Sequence, residues 1–137
     1  MKKNVKVMVF GVFDRLHSGH RAFLRQAKKH GKKLMVVIAH DSSVLKLKKK
    51  RPWQSERQRM VAIRKIRGVS KAILGDQKQS SYSVIKKYKP DIIYLGYDQT
   101  WLAKDLRAHM RRGKILHIRL VKAKAYKPKK YHTSLLQ

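Results

Sequence analysis

Two histidines, His17 and His20, stand three residues apart just after a glycine turn. An apolar run at residues 5–10 precedes the turn and an amphipathic segment at residues 21–30 follows it. The pattern predicts a buried strand and then a helix that begins at the second histidine, with both imidazoles on one side of its first turn. A helix N-terminus favours anions. We therefore predict a nucleotide-phosphate site with imidazole donors, the alternative being two plain surface histidines.

The whole string at residues 11–20, G-V-F-D-R-L-H-S-G-H, resembles the signature of the cytidylyltransferase-like nucleotidyltransferases. That family includes glycerol-3-phosphate cytidylyltransferases, sugar-phosphate adenylyltransferases and archaeal-type FAD synthases. The resemblance implies that an acceptor oxygen attacks the α-phosphorus of ATP or CTP and that pyrophosphate leaves. It also implies Mg²⁺ or another divalent cation as cofactor. The protein's task is to orient the groups and neutralise charge, and the resemblance gives that task to His17 and His20.

The resemblance implies roles for the basic loop after the second strand and for Asp14. The family carries a triphosphate-binding lysine in that loop; Lys46 is our candidate, and Lys48 and the other lysines of residues 46–50 stay open. Asp14 either fixes its loop by accepting backbone N–H groups, which we favour, or helps to hold the metal. One of Arg57 and Arg59 either reaches a phosphate or lies on a plain exposed helix.

The string L-G-Y-D-Q at residues 95–99 separates members of the family. It resembles the archaeal-type FAD synthases, which adenylylate FMN, whereas the glycerol-3-phosphate enzymes tend to have a Gly-Asp-Asp-Trp sequence there. Asp98 is then expected on the ribose or base, Tyr126 beside the nucleotide, and Thr133 with Ser134 in a loose match to a phosphate-binding Ser-Thr-Thr motif. The predicted catalytic residues are His17, His20 and Lys46, and the predicted nucleotide-binding residues are Val12, Phe13, Asp14, His17, Ser18, Gly19, His20, Asp98, Gln99, Tyr126, Thr133 and Ser134.

FMN adenylyltransferase is therefore the leading hypothesis. The alternatives are a cytidylyltransferase acting on glycerol-3-phosphate or another phosphorylated alcohol, a sugar-phosphate adenylyltransferase, and a nucleic-acid-binding protein on the same fold. The last is favoured by the charge, since 36 Lys and Arg against 7 Asp and Glu give a formal +29. Such a field attracts polyanions without selectivity. The intact signature disfavours a pure binder.

Composition and length predict one domain over residues 1–137, with an irregular basic tail at 122–137. The absence of cysteine excludes disulfides, thiolate metal sites and cysteine nucleophiles. The first apolar run has only the length of a strand, which is too short for the core of a signal peptide, and no apolar run approaches the length of a membrane span. We expect a cytoplasmic protein that forms a homodimer, as members of the family commonly do.

The elements alternate along the chain. Continuous apolar strands separated by helices indicate a parallel sheet covered on both faces, so the expected fold is an α/β, Rossmann-like three-layer sandwich with a five-stranded parallel sheet. Gly31 and Gly113 are expected to cap helices. The predicted strands are residues 5–10, 34–39, 72–74, 91–95 and 115–121, the predicted helices are 19–30, 56–67, 81–88 and 102–112, and residues 41–51 are a loop.

The seven acidic residues are scarce enough for each to be informative. Asp14 in the signature, Glu56 at a helix start and Asp98 after a strand are candidates for specific roles. Asp41, Asp91 and Asp105 are interpreted as turn or helix-start residues. In an open parallel sheet, ligands bind beyond the carboxyl ends of the strands, where the strand order reverses. The distinctive loops are thus expected at one edge of the sheet.

Overall fold

The computed structural model of the chain describes residues 4–124. Within them, five strands and five helices follow one another. The strands are β1 (Lys6–Gly11), β2 (Lys33–Ile38), β3 (Lys71–Leu74), β4 (Ile92–Leu95) and β5 (Arg119–Lys122), and the helices are α1 (Ser18–Lys28), α2 (Asp41–Lys48), α3 (Glu56–Arg64), α4 (Ser83–Tyr88) and α5 (Thr100–Arg111).

The strands form one parallel sheet in the order β3-β2-β1-β4-β5. Val7 of β1 lies opposite Leu34 of β2 on one side and opposite Ile92 of β4 on the other. The strand order reverses between β1 and β4, and this reversal places the ligand crevice of such folds beyond the end of β1. The predicted Rossmann-like α/β fold with five parallel strands is confirmed.

Successive strand residues point to opposite faces of the sheet, so each face has its own core. Val7 and Val9 of β1 pack with α1 and α3, while Met8 packs with α4 and α5. These residues are fully buried. The sheet is therefore the middle of three layers, and its strands are apolar because helices cover both faces.

Residues 41–48 are helical, although we predicted a loop there. The helix α2 begins after His40, carries Asp41 in its first turn, and ends where Lys49 takes a left-handed conformation with φ of 59°. Val44 is its one buried residue. Because a single apolar side chain packs α2 against the fold, its sequence has almost no apolar periodicity, and the run of lysines adds none. The helix was therefore not predicted.

Two further expectations about the elements are wrong. Gly31 is not a left-handed cap, because α1 ends with Lys29 in a right-handed conformation. Instead a Cβ atom at Gly31 would lie 2.6 Å from the carbonyl oxygen of Val5, so glycine is required there by close backbone approach. The last strand begins at Arg119; Ile115 and Ile118 are buried without joining the sheet. Gly113, with φ of 71°, follows α5 as predicted.

Candidate functional site

The signature loop, residues 11–17, folds its phenylalanine back under the turn. Phe13 is buried in the left-handed region with φ of 54°. Its ring is so close to Gly11 that a Cβ atom there would lie 2.7 Å from Phe13 Cε2. Likewise a Cβ atom at Gly19 would lie 3.0 Å from His17 Cε1. The two glycines of the signature therefore make room for an aromatic ring and for an imidazole.

The two imidazoles form a reciprocal cap at the start of α1. His17 is the N-cap residue, and its Nδ1 accepts the N–H of Gly19 at 3.1 Å. Nδ1 of His20 accepts the N–H of His17 at 3.3 Å. The rings are stacked with centroids 3.9 Å apart. Since each Nδ1 accepts, each neutral ring carries its proton on Nε2 and keeps that N–H as a donor.

The helix was predicted to begin at the second histidine, whereas α1 begins two residues earlier, at Ser18. The expected sharing of one side of the first turn by His17 and His20 is confirmed by their stacking. Burial, the neighbouring His17 and, in the opposite direction, Asp14 together lower the pKa of His20 from 6.5 to about 4. His20 is thus a neutral donor at physiological pH.

Asp14 fastens the signature loop to the segment before α3. Its carboxylate oxygens accept the backbone N–H groups of Trp53 at 2.6 Å and Gln54 at 2.9 Å. The N–H of Arg15 returns a bond to Gln54 Oε1, and the Arg15 guanidinium lies 4.4 Å from the centre of the Trp53 ring. Of the two roles considered for Asp14, these bonds match the one in which it fixes its loop by accepting backbone N–H groups.

Arg59 is completely buried, so it is not the exposed helix residue of the second alternative, which Arg57 fits. Its Nη1 donates to the carbonyl oxygens of Val12 and Ala39, each at 2.9 Å, and its Nε donates to that of Gln54 at 3.1 Å. Its Nη2 pairs with Asp41 at 2.6 Å. Four of its five N–H groups are used by these partners, so Arg59 joins the ends of β1 and β2 to α3. Arg57 is exposed.

The turn after β2 is fixed by a second acid. Glu56 Oε1 accepts the N–H of Asp41 at 2.8 Å and lies 3.3 Å from His40 Nδ1. The helix α2 is therefore held at its first turn. Lys46 and Lys48, both exposed, lie on its last turn.

The loop after β4 is held by a neutral side chain. Gln99 Oε1 accepts the N–H of Gly96 at 2.7 Å, and Gln99 Nε2 donates to the carbonyl oxygen of Phe10 at 2.9 Å. The loop is thereby tied to the end of β1. Asp98 and Tyr97 are exposed beside it.

Six of the seven acidic side chains are engaged within the described residues. Besides Asp14, Asp41 and Glu56, Asp91 accepts the N–H of Lys6. Asp76 accepts from Ser81 and Ser83, and Asp105 from Ser80 and Tyr82. Of the seven acidic side chains, Asp98 alone forms neither a hydrogen bond nor an ion pair within residues 4–124. The acids that we interpreted as turn and helix-start residues hold the fold, and one remains exposed at the sheet edge.

A largely apolar cavity of about 270 Å³ lies beside the signature loop. It opens over the carboxyl ends of β1, β2 and β3 and is walled by α5 and by the segment before α4. Its lining includes Gly11, Val37, Ser43, Tyr82 and Trp101. Trp101 and Tyr82 did not figure among the predicted site residues. A tryptophan on the first turn of a helix at this sheet edge was the available signal.

A second cleft, of about 500 Å³, lies between the signature loop, α1 and α3. Arg15, Arg21 and Lys65 line it together with Leu16 and Ile66, and its lining contains no acidic residue. The lining of this cleft is therefore basic, whereas that of the cavity is mainly apolar.

The structure brings Val12, Phe13, Asp14, Ser18 and Gly19 together with the two histidines at the end of β1. Asp98 and Gln99 lie at the end of β4, and Lys46 on α2. The other predicted residues, Tyr126, Thr133 and Ser134, lie outside the described residues.

Two further findings concern residues 4–124. They contain no group of three or more His, Asp or Glu side chains placed to share a metal ion. None of their helices is both long and apolar enough to cross a membrane.

Comparison with known proteins agrees with this geometry. The Cytidylyltransferase-like family matches residues 8–135. The chain is 42% identical to a FAD synthase of Aciduliprofundum boonei over 130 residues, 95% of this chain and 82% of that protein. It is 41% identical to a FAD synthase of Methanobrevibacter smithii over 135 residues, 96% of this chain and 83% of that protein.

Among solved structures, the lipopolysaccharide core biosynthesis protein from Thermoplasma volcanium superposes with a TM-score of 0.80. Sequence identity is 36%, and the match covers 90% of this chain and 98% of that one. The signature, the strand order and these similarities lead to one conclusion: the chain belongs to the cytidylyltransferase-like family of nucleotidyltransferases.

Proposed function

We propose that this protein transfers AMP from ATP to FMN, producing FAD and pyrophosphate. An FMN phosphate oxygen forms a bond to the α-phosphorus of ATP while the bond from that phosphorus to the α–β bridging oxygen breaks. The bridging oxygen leaves on pyrophosphate with the electron pair, so no proton has to move in the step. The similarity to FAD synthases supports the substrates, and the pair of capped imidazoles is the observation that carries the chemistry.

His17 and His20 supply hydrogen bonds to the reacting phosphates. Their Nδ1 atoms are used in capping α1, so Nε2–H is the remaining donor of each ring. Donors fixed before the substrate arrives require no reorganisation as charge develops on the phosphate oxygens. The positive end of α1 acts in the same direction, and Val12, Phe13, Ser18 and Gly19 give the loop its shape around the phosphates.

Helical spacing favours Lys46 over Lys48 as the triphosphate lysine. Ser43 lines the cavity beside the signature loop. Lys46, three positions later on α2, lies on the same side of the helix, whereas Lys48 is rotated by roughly 140° from Ser43. The side chain of Lys46 can therefore extend along the edge of the site.

Asp98 is proposed to accept a hydrogen bond from the ribose or the base of ATP. It is exposed, unengaged among residues 4–124, and carried by the loop that Gln99 ties to the end of β1. Carboxylates accept from hydroxyl and amino groups, which both parts of the nucleoside offer. Contacts from Tyr126, Thr133 and Ser134 remain predictions.

Mg²⁺ is proposed to enter with the triphosphate and not to occupy a cage made by the protein. This ion typically keeps several waters and binds substrate phosphates with one or two carboxylates. Both Asp14 oxygens already accept backbone N–H groups, which fits a fastening role for Asp14 better than a metal-ligating one. When bound, the ion would neutralise phosphate charge.

The test is a pyrophosphate-release assay with ATP, FMN and Mg²⁺, with FAD identified as product. His17→Ala and His20→Ala should each lower kcat by about 10²–10³-fold, as loss of one transition-state donor does. Lys46→Ala should lower kcat/KM clearly more than its matched control Lys48→Ala. CTP in place of ATP, and glycerol-3-phosphate or sugar phosphates in place of FMN, complete the screen.

Wild-type turnover with CTP or with a polyol or sugar phosphate, but not with ATP and FMN, would replace the proposed substrates by those of the alternative family members. Near-normal turnover by both histidine variants would remove the catalytic assignment. Homodimer formation and unselective polyanion binding remain predictions, to be checked by sedimentation and by a salt titration of RNA binding, which should weaken steeply as salt rises.

A further inference from the structure

We propose that the isoalloxazine ring of FMN stacks on the Trp101 indole in the apolar cavity at the ends of β1, β2 and β3. The inference rests on the proposed function and adds a residue that selects the acceptor. Trp101 stands on the first turn of α5, lines the cavity, and is 56% exposed. A large aromatic side chain that is left half exposed on a cavity wall gains apolar contact when a flat ring covers it.

The cavity wall is mainly apolar, Lys78 being its one basic side chain, and three of its polar side chains are already engaged. The Tyr82 hydroxyl donates to Asp105 at 2.5 Å, and Ser80 Oγ donates to the same carboxylate at 2.7 Å. Burial, followed by the bond to Asp105, raises the pKa of Tyr82 well above its usual value. Asp76, also in the lining, accepts from Ser81 and Ser83.

Such a lining suits an aromatic ring better than a small polyol. Glycerol phosphate needs partners for its hydroxyl groups, whereas an isoalloxazine needs apolar walls and a few polar atoms at one edge. Ser43 and Gln79 lie in the same lining and supply polar groups of that kind. The volume of about 270 Å³ lies just below the usual range of ligand pockets, about 300–1,000 Å³, so the cavity can take the ring while the ribityl phosphate extends outside.

The position of the cavity agrees with the direction of the reaction. Gly11 and Val12 of the signature loop form part of its lining. When the flavin ring occupies the cavity, its ribityl phosphate can therefore extend toward the imidazoles. The strands beneath the cavity are β1, β2 and β3, and α5 with Trp101 closes it from the β4 side, where Asp98 also lies. FMN and the nucleoside therefore reach the α-phosphorus from neighbouring sites, and the in-line displacement requires the FMN oxygen to enter opposite the leaving pyrophosphate.

Trp101 is held in place by the loop before it. Gln99, two residues earlier, is bonded to Gly96 and to the end of β1, and α5 begins directly after it. The backbone that carries the indole is therefore fixed before the flavin arrives, which reduces the entropy lost on binding.

The experiment measures equilibrium binding of FMN and, separately, of ATP to the intact protein, together with the emission of bound FMN. Stacking on an aromatic side chain is worth about 1–3 kcal/mol per ring, so Trp101→Leu should weaken FMN binding about 5- to 150-fold. Trp101→Phe should retain most of the affinity, and the ATP affinity should change less than about twofold. Indole in contact quenches flavin emission, so FMN should be dark on the wild type and bright when saturating Trp101→Leu.

The matched control is Trp53→Leu, which removes the other exposed indole, one that lies against Arg15 and outside the cavity. It should change neither FMN affinity nor FMN emission. Unchanged FMN affinity in Trp101→Leu, bright FMN on the wild type, or a loss confined to ATP would each overturn the assignment. Failure of the wild type to make FAD would instead overturn the proposed function, so the two failures are distinguishable.

Discussion

The loop after β1 and the loop after β4 flank the reversal of strand order, and they are held by different means. The first is fixed by charged groups: Asp14 accepts two backbone N–H groups, and buried Arg59 donates to the carbonyl oxygen of Val12. The second is fixed by one neutral amide, that of Gln99. Loss of the completely buried Arg59 leaves three carbonyl oxygens and Asp41 without this donor, whereas loss of the Gln99 side chain leaves one N–H and one carbonyl oxygen without a partner.

The same difference separates what the two loops can do. The first loop presents imidazoles whose tautomer and orientation are fixed by capping, so it suits the reaction that all members of such a family share. The second keeps Tyr97, Asp98 and Trp101 exposed at the sheet edge. We infer that the fixed loop serves transfer and that the lightly held loop serves selection of the nucleoside and the acceptor.

Removal of the guanidinium that holds the first loop should give the largest effect on stability. Arg59→Met should lower the free energy of unfolding by about 3 kcal/mol, because three carbonyl oxygens and Asp41 lose a buried donor. Arg57→Met, on the exposed side of the same helix, is the control and should stay within about 0.5 kcal/mol of wild type. Urea denaturation checks both, and equal stability of the two variants would refute the anchoring role of Arg59.

A smaller effect is expected from the amide that holds the second loop. Gln99→Ala leaves the N–H of Gly96 and the carbonyl oxygen of Phe10 without this partner, which should lower the free energy of unfolding by about 1–2 kcal/mol. The exposed Gln77→Ala is the control. If Gln99→Ala destabilised the protein as much as Arg59→Met, the proposed contrast between the loops would be lost.

The smallest expected effect is a pH dependence from His20. Its pKa is about 4 in the folded protein, mainly because of burial, against 6.5 for the free side chain. Between pH 6.5 and 4 the unfolded state therefore binds a proton that the folded state does not, so stability falls as the pH falls through this window. Above pH 6.5 the group contributes no dependence, and below pH 4 the loss is complete.

His20→Gln removes this titration. Denaturation curves at pH 7.5 and pH 4.5 should therefore show a smaller loss of stability for the variant than for the wild type. The effect is modest because His20 is only partly buried and solvent screens it. Identical losses in the two proteins would show that His20 titrates normally in the folded state.

Sequence determined the parallel α/β fold, since continuous apolar strands between amphipathic helices have few other stable arrangements. It also placed His17 and His20 together at a helix start, because a spacing of three residues is a local property of the backbone. The Ser-x-x-Gln spacing of Ser55 and Gln58 is typical of a capping box, and the structure contains that box. These features depend on neighbours within one element.

Tertiary structure alone decided the features that join distant parts of the chain. Arg59 resembles any helical arginine until the fold buries it against Val12 and Ala39, and Asp14 finds its partners about 40 residues later. The helix α2 depends on one packed residue, Val44, and the apolar cavity is lined by residues as far apart in the chain as Val37, Tyr82 and Trp101. Local patterns fix elements, whereas burial and side-chain contact across the chain depend on how those elements pack.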